Sequence, residues 1–229
     1  MANKPIHYLA RGLSALLLFA AAQGVALAQS EQQSLVNAAN RTLSNFLRDP
    51  NYSWLQQNIG RAKAVTIAPS VVRAGFIFGG SGGRAVTLAR DPATGKWVGP
   101  GFYTLASASF GLQAGISAAE VVTLVMTDKA FNSLLAPSVK LGGDASVAAG
   151  PVGAGAGSAL LADFITFSRA QGVFAGLNLE GSVIAVSNDW NEAFYGKQGV
   201  LPPDILVRHT VHNKGANALL ATVTKATKK

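Results

Sequence analysis

The chain has 229 residues, 19 Lys and Arg against 11 Asp and Glu, and no cysteine. The lack of Cys excludes a disulfide scaffold, thiol catalysis and Cys-ligated zinc, and a body of this length buries a core without such staples. Charged residues are 13% of the chain, against roughly 25% in an average domain, so the positive balance rests on a largely neutral surface. That excludes the dense basic stripe expected of a nucleic-acid-binding protein.

In chain order, Lys4 and Arg11 precede the apolar run Leu13 to Ala22, which leads to Ala26-Leu27-Ala28. This reads as a secretory signal peptide over 1–28 with an A-x-A cleavage site, since the run is about half the roughly 20 residues that span a bilayer. The expected location is periplasmic or secreted. Removing Lys4 and Arg11 leaves 17 basic against 11 acidic side chains, a formal +6. Such a charge favours anionic partners, with lipid headgroups first among them.

Ser30 to Gln33 has the form of a capping box, and Leu35, Ala39, Thr42, Leu43 and Phe46 recur at helical spacing. A helix over 31–48 is expected, stopped at Asp49-Pro50, with a short second helix through Trp54 and Leu55. The apolar face of the first helix is expected to dock on the core, because Arg41 and Arg48 are its only cations. From Ala64 the pattern changes to short β-branched and aromatic runs broken by glycines, as in an antiparallel sheet.

Strands are expected at Val65 to Ala68, Val72 to Phe78, Ala85 to Ala89, Phe102 to Ala114, Val121 to Val125, Lys140 to Ala148, Ile165 to Ser168, Val173 to Leu179 and Val183 to Val186. A turn is expected at Asp91 to Gly95. Short helices are expected at Asp128 to Leu135 with Asp128 as cap, at Asn188 to Tyr195, and at Asn217 to Thr227. No linker divides these elements. The fold class is α+β: a strongly curved, barrel-like antiparallel sheet with an N-terminal helix and short flanking helices, its curvature served by glycines within strands.

Gly79 to Gly83 matches G-x-S-x-G, which makes Ser81 a candidate hydrolase nucleophile with His209 or His212 as base. A nucleophile elbow must open a helix, however, and Arg84 to Ala89 alternates like a strand. The same glycines lack the helix and the acid of a dinucleotide fingerprint, and no P-loop lysine follows either cluster. No cofactor is expected. His209 and His212 make a weak metal pair and read better as surface residues. Ala145 to Ala162 is uncharged but too rich in Gly, Pro and Ser for a membrane span.

Lys140 to Gly153, with Gly142-Gly143-Asp144-Ala145-Ser146, resembles the signature of the SYLF domain family. Lys63 to Gly80, Gly101 to Gly115 and Phe167 to Val186 agree in order and spacing, and Asn191 to Gly196 closes the resemblance. It implies non-catalytic binding of anionic lipid, because eukaryotic members bind phosphoinositides and some bind actin. For an exported protein, phosphatidylglycerol, cardiolipin or lipid A is the more plausible ligand. Lys63, Arg73 and Arg169 fall on basic positions of the family pattern and are the expected headgroup contacts, with Arg84 added for its place beside the glycines. The organisation that follows is a helical segment over 29–61, a SYLF-like core over 62–199 and a basic extension over 200–229. A serine hydrolase using Ser81 and a structural or protein-interaction module of the envelope are the alternatives.

Overall fold

In the computed structural model, residues 31–75, 78–110, 115–151, 162–170, 173–174 and 179–228 are described. The expected signal peptide lies outside them. Helix α1, 31–48, buries Val36, Ala39, Leu43 and Phe46 on one stripe, the spacing that keeps side chains on one helical face. It ends before Pro50, and the Asp49 carboxylate accepts from the Asn51 amide to start a tight turn into α2, Ser53–Asn58. Gln33, expected to close a capping box, turns its amide nitrogen to Asn37 Oδ1 and to Gly215 O, each at 3.0 Å. Its expected partner Ser30 lies outside the described residues.

Four long strands form the centre: β1 (Ala64–Gly75), β2 (Phe78–Arg90), β3 (Trp97–Phe110) and β4 (Gly115–Val125). β5 (Ser138–Lys140), β6 (Val147–Ala149), β7 (Phe164–Ala170), β8 (Val173–Phe174) and β9 (Val183–Val186) complete the sheet. Its order is β5-β9-β3-β2-β1-β4-β7-β6, with β8 also on β7. All pairs are antiparallel except β6 with β7, so the sheet is mixed at one edge where a wholly antiparallel one was expected.

The two edge strands of this sheet, β5 and β6, are neighbours in sequence, and the residues between them draw the sheet round on itself. Leu141 bridges Ala145, and the Gly142 amide donates to Ala145 O at 2.8 Å. Gly142 has φ +81, a left-handed conformation that glycine adopts freely. The first half of the signature, Lys140 to Ser146, is therefore the seam of the curled sheet.

The expected strand Val65 to Ala68 and the part of Val72 to Phe78 that reaches Gly75 are one strand, β1, interrupted by a register shift between Ala68 and Val71, whereas 76–77 lie outside the described residues and Phe78 opens β2. Pro69 sits at that irregularity, where its missing N–H does no harm. Gly83 faces the same bulge; a Cβ there would lie 2.3 Å from Ser70 O. Gly79 to Gly83 lie within β2 itself, paired with β1 and β3. The run expected as one strand over Lys140 to Ala148 is split by the seam. Of the strand expected at Val173 to Leu179, Val173 and Phe174 form β8, and 175–178 lie outside the described residues.

Side chains alternate between two buried layers. On the outer face, Val65, Val86, Phe102, Val122 and Phe167 pack with α1, α2 and two helices further along, α4 (Asn188–Tyr195) and α6 (Asn217–Ala226). On the inner face, Ala64, Ala85, Tyr103, Val121 and Ile184 pack with α3 (Asp128–Leu134) and α5 (Pro202–Leu206). The expected docking of α1 on the core is thus what the structure has. Thr127, one residue before the expected Asp128, caps α3 by accepting from the Ala130 amide.

Residues 200–228 are part of this packed body. Ile205 and Leu206 of α5 and Leu219 and Val223 of α6 are all buried. The Thr222 hydroxyl bonds Asn40 Oδ1 at 2.7 Å, tying α6 to α1. No helix among the described residues is long and apolar enough to cross a membrane.

Candidate functional site

The four cations expected to meet a headgroup do not converge. Lys63 stands just before β1 and Arg73 ten residues along the chain, about 30 Å away at the rise of a strand. Lys63 is paired with Asp128 at 3.0 Å. Arg73 lies opposite Ser81 and Ser117, on the inner face, half-buried. Arg84 is on the outer face, exposed, with its guanidinium 3.9 Å from the centroid of Trp190.

Arg169 is spent differently. It lies directly opposite Glu120 across β4 and β7 and forms an ion pair with it through both Nε, at 3.0 Å, and Nη2. Its guanidinium also sits 5.6 Å from the ring centroid of Phe46 on α1.

Ser81 is near the start of β2, buried, sharing a 2.6 Å hydrogen bond with the Ser107 hydroxyl. It opens no helix. His209 is anchored at the other end of that strand, with Nδ1 3.8 Å from Asp91 Oδ2, ten residues from Ser81 and so on the order of 30 Å away. Expected as a surface residue, His209 is half-buried at φ +53. Asp91 holds the turn as expected, accepting from the Ala93 and Thr94 amides and the Thr94 hydroxyl. These bonds, the Thr94 hydroxyl foremost, hold its carboxyl below the usual range. His212 is exposed. No group of three or more His, Asp or Glu that could hold a metal occurs among the described residues.

The inner face leaves little room for a ligand at the point where strands β1 to β4 curl. A cavity there, walled by Ala68, Ala85, Leu105 and Val121, has a volume of only ≈ 10 Å³, about the least that admits one water.

Among the described residues, two larger hollows lie outside, between the helices. A groove of ≈ 640 Å³ runs between α1, α2 and the end of α6, lined among others by Leu47, Arg48, Gln56, Thr222, Lys225 and Thr227. A second hollow of ≈ 530 Å³ adjoins it through Ser44 and Arg48 and takes in Arg41, Asn45 and Glu120. Arg41, Arg48 and Lys225 are exposed, and among the described residues no carboxylate pairs with them. The one acid in this double hollow, Glu120, is already held by Arg169 and by the Thr42 hydroxyl at 2.7 Å. Arg41 and Arg48 come together because seven residues are two helical turns. Lys225, 177 positions on, joins them only because α6 folds against α1.

Three relatives place this architecture. LAS seventeen-binding protein 3 of Saccharomyces cerevisiae is 35% identical over 143 residues, 59% of this chain and 31% of that protein. Protein YSC84 of the same yeast is 34% identical over 143 residues, 59% of this chain and 30% of that protein. SH3 domain-containing YSC84-like protein 1 of Homo sapiens is 32% identical over 176 residues, 75% of this chain and 51% of that protein. The chain thus spans 30% to 51% of the length of these relatives, the first of which is named as a binding protein. The family described as Las17-binding protein actin regulator matches residues 106–226, from the second half of β3 through α6, so α5 and α6 lie within the match. That match covers more than half of the sequence, it agrees with the SYLF resemblance read from Lys140 to Gly153, and the chain belongs to the Ysc84 (SYLF) family.

Proposed function

We propose that the protein binds anionic lipid surfaces without catalysing a reaction, through the face that α1 and α6 present. The observation that carries this reading is the cluster of Arg41, Arg48 and Lys225, exposed and without carboxylate partners among the described residues. Each Lys or Arg held near an anionic leaflet contributes about 1 kcal/mol, so three together give reversible peripheral binding. Arg73 and Arg84 add positive charge elsewhere on the sheet, whereas the charges of Lys63 and Arg169 are largely compensated by Asp128 and Glu120. If residues 1–28 direct export, the lipids in reach are phosphatidylglycerol, cardiolipin or lipid A.

Vesicle flotation at low salt tests this. Recovery on phosphatidylcholine vesicles containing phosphatidylglycerol, with little on phosphatidylcholine alone, is expected. Equal recovery on both removes the electrostatic mechanism, and the protein-binding role suggested by the relatives' names then becomes the leading reading.

A further inference from the structure

The α1–α6 face is not flat, and we infer that its ≈ 640 Å³ groove is a binding site for one single-chain anionic amphiphile. The inference rests on the charge reading of the same face but asks for more: a hollow that takes a single molecule, apart from any membrane. Its volume lies within the roughly 300–1,000 Å³ of single-ligand sites.

The two ionisable side chains that line it, Arg48 and Lys225, are both cations, exposed and free of ion pairs among the described residues. A guanidinium and an ammonium on opposite walls suit a phosphate or carboxylate head, the first by forked donation and the second as a point charge. Gln57 and Thr222 supply neutral polar groups beside them, whereas Leu47 and Ala226 form an apolar wall. That combination asks for an anion with an alkyl chain attached, because an inorganic anion leaves the apolar wall wet and an uncharged amphiphile leaves the cations unmatched. The alkyl chain lies along the groove, against Leu47 and Ala226.

The walls are firmly built. Gln56 is turned away to donate to Phe46 O and Asp49 O, and Asn40 is bonded to Thr222. Thr227 accepts from the buried Trp97 Nε1 at 3.2 Å, which places an indole directly behind the groove as an optical reporter.

Calorimetric titration of the full chain with dodecyl phosphate, below its micelle concentration, tests the site, with Trp emission followed in parallel. One molecule bound per chain is expected, with dodecyl maltoside and inorganic phosphate each at least about 10-fold weaker. An Arg48→Gln/Lys225→Gln variant is expected to lose about 10-fold or more, as removal of charge-assisted hydrogen bonds implies, with an unchanged near-ultraviolet dichroism spectrum. Lys140→Gln, on β5 at the seam, removes a positive charge away from the groove and binds as the parent does.

Equal binding of dodecyl maltoside, non-saturating uptake, or full affinity in the double variant overturns the site. Flotation on anionic vesicles without one-to-one uptake of dodecyl phosphate overturns it too while leaving surface binding intact. Failure of both assays removes both readings.

Discussion

Glu120 on β4 and Arg169 on β7 face each other directly across the sheet, and the pair they form reaches up to the helix above it. Glu120 accepts the Thr42 hydroxyl at 2.7 Å, and Arg169 lies beside the Phe46 ring, so one ion pair holds both strands and α1. The side chains are 26% and 17% exposed, partly shielded from the screening that makes surface pairs weak. We expect Arg169→Gln to lower stability by about 1–3 kcal/mol, read by urea unfolding. The folded variant is expected to retain binding to anionic vesicles within about 2-fold, since the guanidinium charge is already compensated.

The α1–α6 cations behave oppositely. Arg41→Gln, Arg48→Gln and Lys225→Gln each remove an exposed charge and change stability by less than about 0.5 kcal/mol. Each is expected to weaken binding to phosphatidylglycerol vesicles by about 5-fold, and the triple variant by on the order of 100-fold. Raising the ionic strength weakens the parent more than the triple variant, which flotation across a salt series measures.

Gly150 admits the ring of Phe167. A Cβ at Gly150 would lie 2.2 Å from Phe167 Cε1, whereas one at Gly143 would meet the Lys140 side chain at 3.5 Å, an ordinary contact. Gly150→Ala is therefore expected to destabilise by about 1–3 kcal/mol through overpacking, and Gly143→Ala by less than about 0.5 kcal/mol. Thermal unfolding of the two variants side by side tells the packing glycine from the permissive one.

Asp163 braces the seam to α3. It accepts from the Thr127 hydroxyl at 2.5 Å and from the amide and hydroxyl of Ser146 at 3.0 and 2.9 Å. The Thr127 bond first, then those from Ser146 and the charge of Lys129, hold its carboxyl below the usual range. Because the folded-state value is depressed, its stabilisation is complete above the ordinary carboxylate range and is lost as pH falls through the lowered value. Asp163→Asn, which sets an amide against these donors, is expected to lower stability at neutral pH by about 1.5–3 kcal/mol. It also flattens the decline in melting temperature between about pH 5 and pH 1.

Ser81 is tied to Ser107 and distant from His209. Ser81→Ala is expected to cost about 0.5–1.5 kcal/mol and to leave any ester hydrolysis by the preparation unchanged, measured with p-nitrophenyl acetate.

Much of the fold was legible as local pattern. The stripe Val36, Ala39, Leu43, Phe46 announced a docked helix, Val183 to Val186 announced a strand with the right ends, and Asp91 to Gly95 announced its turn, because each depends on neighbours within a few residues. The bulge at Pro69 was harder to read: the apolar runs on either side looked like two strands, and only pairing with β2 and β4 makes them one. The pairing of charges was the least legible part. Family pattern pointed to Lys63 and Arg169, but a sequence cannot show that Asp128 and Glu120 stand beside them, 65 and 49 positions away.

By itself the sequence determined the class: a cysteine-free, basic, single α+β body with a glycine-bearing sheet and a family signature at Lys140 to Gly153. Composition, period and short motifs carry that much, since each is written in adjacent residues. Only the tertiary structure decided that the first half of this signature, Lys140 to Ser146, is the seam between the two edge strands β5 and β6, and which cations among the described residues remain without a carboxylate partner. Charge compensation is set by distances between residues far apart in the chain, and folding alone brings Lys225 to Arg48 while giving Arg169 to Glu120.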